Sequence, residues 1–303
     1  MTTLEKKTYM NNSKITLVKS NNSYDGVLSA LTPLKKDIAQ KIRNAKRVII
    51  KVNFVTIYNP LAATPVDSVR AVLDFLKPYY SSQILVAEGA TLGGTFEGYK
   101  NYGYFDLEKQ YKVKLFDLNK DATSSVTLYD RRGKPFTIPF SNTVRNSDFI
   151  ISVCRPKTHD TVVATLTLKN LLVGSLLLDK RSHIHQGNMI HRNLFELAKI
   201  AKPSLSVLDG TVGMQGNGPI DGTKIAAHWA SAGLDFLAVD TLALYLMGFQ
   251  LEDVGYLTLC KEGRLGNAFQ DGSVEVIGED PKLLRKKFKP HATYRSQVQW
   301  RRD

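Results

Sequence analysis

Asp148–His191 reads DFIISVCRPKTHDTVVATLTLKNLLVGSLLLDKRSHIHQGNMIH. Its opening residues Phe149, Ile150, Ile151 and Val153 make a short apolar run that stops at Pro156, the pattern of a buried strand. Lys157 and His159 therefore stand just past the carboxyl end of a strand, where open α/β sheets place their ligands. Four of the six histidines (His159, His183, His185 and His191) fall in this stretch together with Lys157 and Lys169, and only His228 and His291 lie outside it. Groups that titrate near neutrality, carried on a strand-end loop, suit a small-molecule active site. The plainer alternative is a set of surface histidines at a helix start and a loop.

Outward from this stretch, strand and helix patterns alternate. KITLVKS (14–20) alternates like a strand, a helical pattern covers Asp25–Ile42, and RVIIKVNFV (47–55) reads as a buried strand. In TPVDSVRAVLDFLKPYY, Thr64 is the expected N-cap, Pro65 takes the first helical position, and Val66, Val69, Val72, Leu73 and Leu76 share one face. QILVAEGA and VKLFDLN follow as strands, VTLYDRRGKPFTIPF as a hairpin, RNLFELAKIAK and DFLAVDTLALYLMGF as helices, and SVEVIGE as a closing strand. Repeated βα units of this kind predict an α/β fold with a largely parallel sheet. We expect two sub-domains around a cleft: residues 14–200 carrying the His/Lys cluster, a smaller unit over 201–280 with a glycine-rich loop, and a basic tail over 281–303.

Composition sets limits. The chain has 303 residues, 43% hydrophobic and 23% charged, as in ordinary globular proteins. It has no apolar run long enough for a membrane span, and its first fifteen residues lack an apolar signal core, which points to the cytoplasm. Cys154 and Cys260 stand far apart with no CxxC, so neither a disulfide framework nor a [4Fe-4S] cluster is expected. The net charge of +13 favours an anionic partner. Eight Lys or Arg and no acid lie between Lys282 and Arg302, interleaved with Phe288, Tyr294 and Trp300. That pattern can grip single-stranded nucleic acid, but no nucleic-acid-binding module accompanies it.

Two further strand ends carry polar residues. Lys51 and Asn53 share one face of IIKVNFV, since strand side chains alternate. A lysine in an apolar strand is costly unless it reaches a partner or a cleft, and an edge strand with a wet face is the alternative. In VLDGTVGMQGNGPIDG, Asp209 ends a strand, and Gly216, Asn217 and Gly218 belong to a bend whose backbone could approach a ligand. It matches neither a dinucleotide nor a P-loop fingerprint.

The segments IIKVNFV, ATPVDSVRAVLDFLK, VAEGA, SDFIISVCRPKTH, TLTLKNLLVG and VLDGTVGMQGNGP, with LDFLAVDTLALYLMG and LEDVGYL, together resemble the domain of unknown function 362 family over about residues 47–278. Many members of that family append a ferredoxin-like cysteine-rich module, which this sequence lacks. The order His159, Lys169, His185 is more distantly similar to the nickel-dependent lactate racemase family. That resemblance implies His159 as acid/base, Lys169 as the attachment point of a nickel-pincer nucleotide, and His185 as a metal ligand. The sequence departs from that family at EGATLGGTF, where Glu88 and Thr91 occur without a histidine, and at LKNL around Lys169.

The residues also allow a reading of their own. Leu166, Leu168, Leu171 and Leu172 surround Lys169, and desolvation among them lowers a lysine pKa, so Lys169 could act as nucleophile, base or anion clamp. His183 and His185, two apart on an extended segment, could hold one divalent metal, with Asp209 or Asp240 completing the site. The expectation is an enzyme acting on a small carboxylate or phosphate, with catalytic His159, Lys169 and Lys157. Lys51, Asn53, Asn170, Asp209, Gly216, Asn217 and Gly218 are the expected cofactor-binding residues. The alternatives are a nucleic-acid or partner-binding protein that uses the basic tail, and a racemase-like nickel-pincer enzyme.

Overall fold

The computed structural model describes residues 12–301. Its strands, in chain order, are β1 (Ser13–Lys19), β2 (Val48–Lys51), β3 (Ile84–Glu88), β4 (Val113–Asp117), β5 (Thr123–Tyr129), β6 (Pro135–Ser141), β7 (Phe149–Cys154), β8 (Lys157–His159), β9 (Val163–Thr165), β10 (Leu205–Gln215), β11 (Thr223–Gly233) and β12 (Val274–Gly278). The main sheet runs β12-β1-β11-β10-β7-β2-β3-β4. From β10 to β4 every pairing is parallel, β11 is antiparallel to both its neighbours, and β12 is parallel to β1. β5 and β6 form the expected hairpin as a separate two-stranded sheet.

The apolar runs of β2 and β7 are continuous because both faces of the sheet are covered. Val48 and Ile50 point into one core with Phe149 and Ile151, while Ile49 and Ile150 point into the other. The helices Ser23–Leu31, Lys35–Ile42 and Val66–Leu76 cover one face. Thr167–Gly174, Met189–Ile200 and Phe236–Met247 cover the opposite one.

Several local expectations differ from the structure. The helical pattern over 25–42 is broken by a 3-10 turn, Thr32–Leu34, around Pro33. Pro65, not Thr64, is the N-cap residue of the helix Val66–Leu76. The Thr64 hydroxyl instead donates to Val153 O at 2.8 Å and accepts from Asn53 N–H at 2.9 Å, tying β2's exit to β7. The largest difference is the glycine-rich stretch. Asp209 does not end a strand: β10 runs on through Gly210 and Gly213 to Gln215, and β11 follows as its hairpin partner, a strand that the small, mixed sequence TKIAAHWASAG does not announce. Gly210 lies opposite Trp229, and a Cβ there would stand 2.4 Å from the indole. Glycine is needed at that position for the tryptophan to lie flat on the backbone.

One hydrogen-bonded sheet takes β1, β2, β3, β4 and β7 from the 14–200 segment and β10, β11 and β12 from the 201–280 segment. The tail packs on this body. Phe288 is 1% exposed in the core, the Tyr294 hydroxyl donates to Asp253 Oδ2 at 2.8 Å, and Trp300 Nε1–H donates to Glu252 O at 2.9 Å. The tail aromatics therefore serve as anchors rather than free stacking faces. Arg302 and Asp303 of that tail lie outside the described residues.

Candidate active site

A small cleft opens at the carboxyl ends of β2, β3 and β7, where a parallel sheet gathers its loops. It has a volume of about 50 Å³, room for a few water-sized groups. Its walls include Asn53, Glu88, Lys157, His159, Lys169 and Asn170.

Two elements deliver most of these side chains. The β8–β9 hairpin pairs Lys157 with Thr165 and His159 with Val163, so Lys157, His159 and Thr165 share the face that lines the cleft. The helix Thr167–Gly174 brings Lys169 and Asn170. Asp240 holds the start of that helix: its Oδ1 accepts from Thr167 N–H at 3.0 Å and the Thr167 hydroxyl at 2.7 Å, and its Oδ2 accepts from Leu168 N–H at 3.0 Å. Burial nevertheless pushes the Asp240 carboxyl up to about 6. Asp240 thus fixes the helix from outside the cleft.

The floor is a chain of hydrogen bonds. Lys51 Nζ donates to Glu88 Oε2, to Val52 O at 2.6 Å and to Asn170 Oδ1 at 3.2 Å. Asn53 Nδ2–H donates to Asn170 Oδ1 at 2.9 Å, and Asn170 Nδ2–H donates to Ser152 Oγ at 3.0 Å. Lys157 Nζ donates to Asn53 Oδ1 and to Ala62 O at 2.5 Å. Gly174 is required for this arrangement, since a Cβ there would stand 2.5 Å from the Lys51 Nζ. Arg181 braces two lining residues from behind: one guanidinium nitrogen donates to Gly89 O and Thr91 Oγ1, both at 2.8 Å, and the other to Asn119 Oδ1 at 3.0 Å and Leu176 O at 2.9 Å.

Lysine outnumbers carboxylate in the lining. Lys157 and Lys169 are buried there with one carboxylate, Glu88, which Lys51 behind it already engages. Desolvation disfavours charged lysine. It lowers Lys51 despite Glu88, takes Lys157 down to about 7, and takes Lys169 down to about 8 against the pull of Asp160. Two groups retain capacity for a ligand. Thr165 Oγ1 is buried without a hydrogen-bond partner. Lys169, with three donors when protonated, has His159 as its one hydrogen-bond partner among the described residues.

His159 Nε2 is 2.8 Å from Lys169 Nζ. At the other nitrogen, Thr161 N–H donates to Nδ1 at 3.0 Å and Asp160 Oδ1 lies 2.9 Å away. Burial and the Lys169 charge push the imidazole down to about 3, so it is neutral and carries one proton. With that proton on Nδ1, the ring donates to Asp160 and accepts from the Lys169 ammonium. With it on Nε2, the ring accepts from Thr161 and donates to a Lys169 free amine. The two arrangements differ by one proton, and the first gives up the Thr161 N–H bond to Nδ1.

Other expected site residues fall elsewhere. Asp209 is buried within β10, accepting from the Ser68 hydroxyl at 2.8 Å and Thr211 N–H at 3.1 Å, and it does not line the cleft. Gly216, Asn217 and Gly218 form the β10–β11 turn, and only the following Pro219 reaches the cleft. Gly218 packs against Thr158, and Asn217 Oδ1 accepts from Ala292 N–H at 3.3 Å, so this turn is a brace between hairpin and tail. His183 and His185 are not on an extended segment. They flank Ile184 in and after a 3-10 turn, Ser182–Ile184, where positions two apart diverge. His183 faces Lys180 O at 3.2 Å, while the His185 ring lies parallel to His159 at 6.5 Å. Among the described residues no three His, Cys, Asp or Glu side chains converge to hold a metal ion. His191 lies apart, accepting from Tyr256 N–H at 3.1 Å. Arg181 and Thr165 have no sequence signal as site residues. Glu88, at the end of a strand like Lys51, could have been found by the same alternation argument.

The family model for a domain of unknown function (DUF362) matches residues 48–245, which include every lysine of this cleft. The chain belongs to the DUF362 family. This DUF362 chain is 24% identical over 234 residues to the thylakoid-associated protein sll1697 of Synechocystis sp., covering 74% of this chain and 70% of that one. The fold is similar to the lactate racemase apoprotein of Thermoanaerobacterium thermosaccharolyticum, with a TM-score of 0.51 and 18% sequence identity. That match covers 72% of this chain and 54% of the other, so the DUF362 chain spans about half the length of that solved structure. At this identity the likeness is one of fold. No helix among the described residues is long and apolar enough to cross a membrane.

Proposed function

We propose that the cleft binds a small anion, a carboxylate or phosphate, and that His159 and Lys169 move a proton to or from it. The observation that carries this reading is the buried positive charge at the cavity: Lys157 and Lys169 line it with one carboxylate, Glu88, which Lys51 already engages. Buried charges are costly unless paired, so an anion in the cleft would supply the missing counter-charge and occupy the spare donors of Lys169 and the Thr165 hydroxyl. A lysine with a pKa of about 8 holds a useful fraction of free amine near neutrality, which suits proton abstraction next to a carboxylate. An isomerase-type reaction fits this pair best.

The convergence of cations in a small cavity favours a small anion over nucleic acid, and the docked tail aromatics point the same way. A nickel-pincer nucleotide does not fit the cleft as it stands: a volume of about 50 Å³ is far below the several hundred that ligand-sized pockets hold. A cytoplasmic setting is part of the proposal, as is an anionic rather than metallic occupant beside Lys169.

Calorimetric titration with sulfate and acetate tests the binding step. We expect saturable binding that weakens at least roughly tenfold in Lys169→Met, as for loss of a charged hydrogen bond. Incubating a panel of small carboxylates in deuterated water tests the chemistry, with deuterium appearing at the carbon next to the carboxyl group in the wild type alone. Failure of every small anion to bind, alongside tight binding of a single-stranded oligonucleotide, would overturn the reading.

A further inference from the structure

The hairpin that carries Lys157, His159 and Thr165 is closed by a turn, and the C-terminal tail grips that turn. Gln297 is 6% exposed, from the short helix Tyr294–Gln297. Its Oε1 accepts from Val163 N–H at 2.5 Å, and its Nε2–H donates to His159 O at 3.0 Å and Thr293 Oγ1 at 2.7 Å. The Thr293 hydroxyl also reaches Asp160 O at 2.7 Å. Thus two tail residues hold three main-chain groups between His159 and Val163. Val163 has a φ of +67°, a left-handed conformation that a β-branched residue adopts only under constraint. Between these clamped ends, Thr161 N–H meets His159 Nδ1.

We propose that Gln297 is a positioning residue for His159: by clamping both ends of the turn, it sets the imidazole against Lys169 on one side and Thr161 on the other. The segment whose charge suggested a nucleic-acid grip is, in this view, part of the site's frame. The inference rests on the reading of His159 and Lys169 as the working pair. A neutral amide suits the task, since it offers an acceptor and a donor at once. It also adds no charge near the groups that already face the imidazole, namely Lys169, Asp160 and His185.

The test uses full-length protein labelled with ¹⁵N at histidine. Gln297→Met keeps the side-chain length and removes both hydrogen bonds to the turn, and Thr293→Val removes the link to Asp160 O, the brace on Gln297 and a contact with His291 Nδ1. At pH 6, where Lys169 is charged, we expect wild-type His159 to show one dominant neutral tautomer. In Gln297→Met its ring signals should shift towards a tautomer mixture, and sulfate affinity should fall roughly tenfold, as for loss of about one or two hydrogen bonds. Thr293→Val should move the same signals by less.

His191 is the internal control, because its ring lies 5.3 Å from Trp300 of the same tail. Unchanged His191 signals beside shifted His159 signals support positioning. If both histidines shift together, the tail is only a structural support and the proposal fails. It fails equally if His159 does not move. Should Gln297→Met not fold, Thr293→Val decides by the same criteria. If wild-type protein binds no sulfate, the anion reading fails, while the His159 signature still decides the role of Gln297.

Discussion

Lys169 Nζ and His159 Nε2 stand 2.8 Å apart although one side chain comes from a helix and the other from a β-hairpin. Asp240 fixes the helix and Gln297 fixes the hairpin, each from outside the cleft. The contact is therefore held by two buried supports rather than by local chain geometry. Its chemistry follows from burial, which makes the imidazole neutral and brings the ammonium within reach of deprotonation near neutral pH.

Anion affinity should fall as pH rises from 6 to 9. The ammonium form binds the anion, and Lys157 and Lys169 lose their protons near 7 and 8. Sulfate keeps a constant charge over this range, so calorimetry with sulfate reads the lysines alone. We expect a loss of at least roughly tenfold, as for one or two charged hydrogen bonds. Lys169→Met should remove the upper part of the profile. A flat profile would show that these lysines do not meet the ligand.

Folding stability should move the other way with pH. Both lysines have lowered pKa values in the folded state, so between about pH 7 and their ordinary value near 10.4 the unfolded chain binds more protons. Stability contributed by these groups therefore rises with pH across that window. Urea unfolding at pH 7 and pH 9.5 checks the sign, and Lys157→Met should flatten the rise. A decrease with pH that the variant leaves untouched would count against the buried, depressed lysines.

Glu88→Gln should be strongly destabilising, because Lys51 would lose the carboxylate that compensates its buried charge. Breaking a buried ion pair costs about 3–5 kcal/mol. Lys51→Met added to Glu88→Gln should recover much of that loss, since no uncompensated ion then remains. Denaturant unfolding of the four proteins in the cycle measures it. Additive losses would mean that the two groups do not depend on each other.

The legible part of the site came from strand ends. An apolar run closed by Pro156 placed Lys157 and His159 at the sheet's carboxyl edge, and period-two alternation put Lys51 with Asn53. Both signals are local, so they survive in the sequence. His183 and His185 misled because spacing implies a shared face only if the segment is extended, and a 3-10 turn separates them. The β11 strand has no legible pattern because its one large core side chain, Trp229, packs on Gly210 of β10. A pattern of small residues looks like a loop until its partner strand is known.

The sequence by itself determined the α/β class, the parallel core and the strand ends where chemistry gathers, because burial on two faces and termination by proline are written in neighbouring residues. Only the tertiary structure decided which charges meet. Glu88 reaches Lys51 across 37 residues, Arg181 braces Gly89 from a surface-like stretch, and Gln297 reaches back 138 residues to hold His159. Alternation can set Glu88 and Lys51 at strand ends, but which of these groups pair leaves no periodic trace. A polar residue's role depends on what desolvates it and what it can pair with, and those are properties of the packed chain.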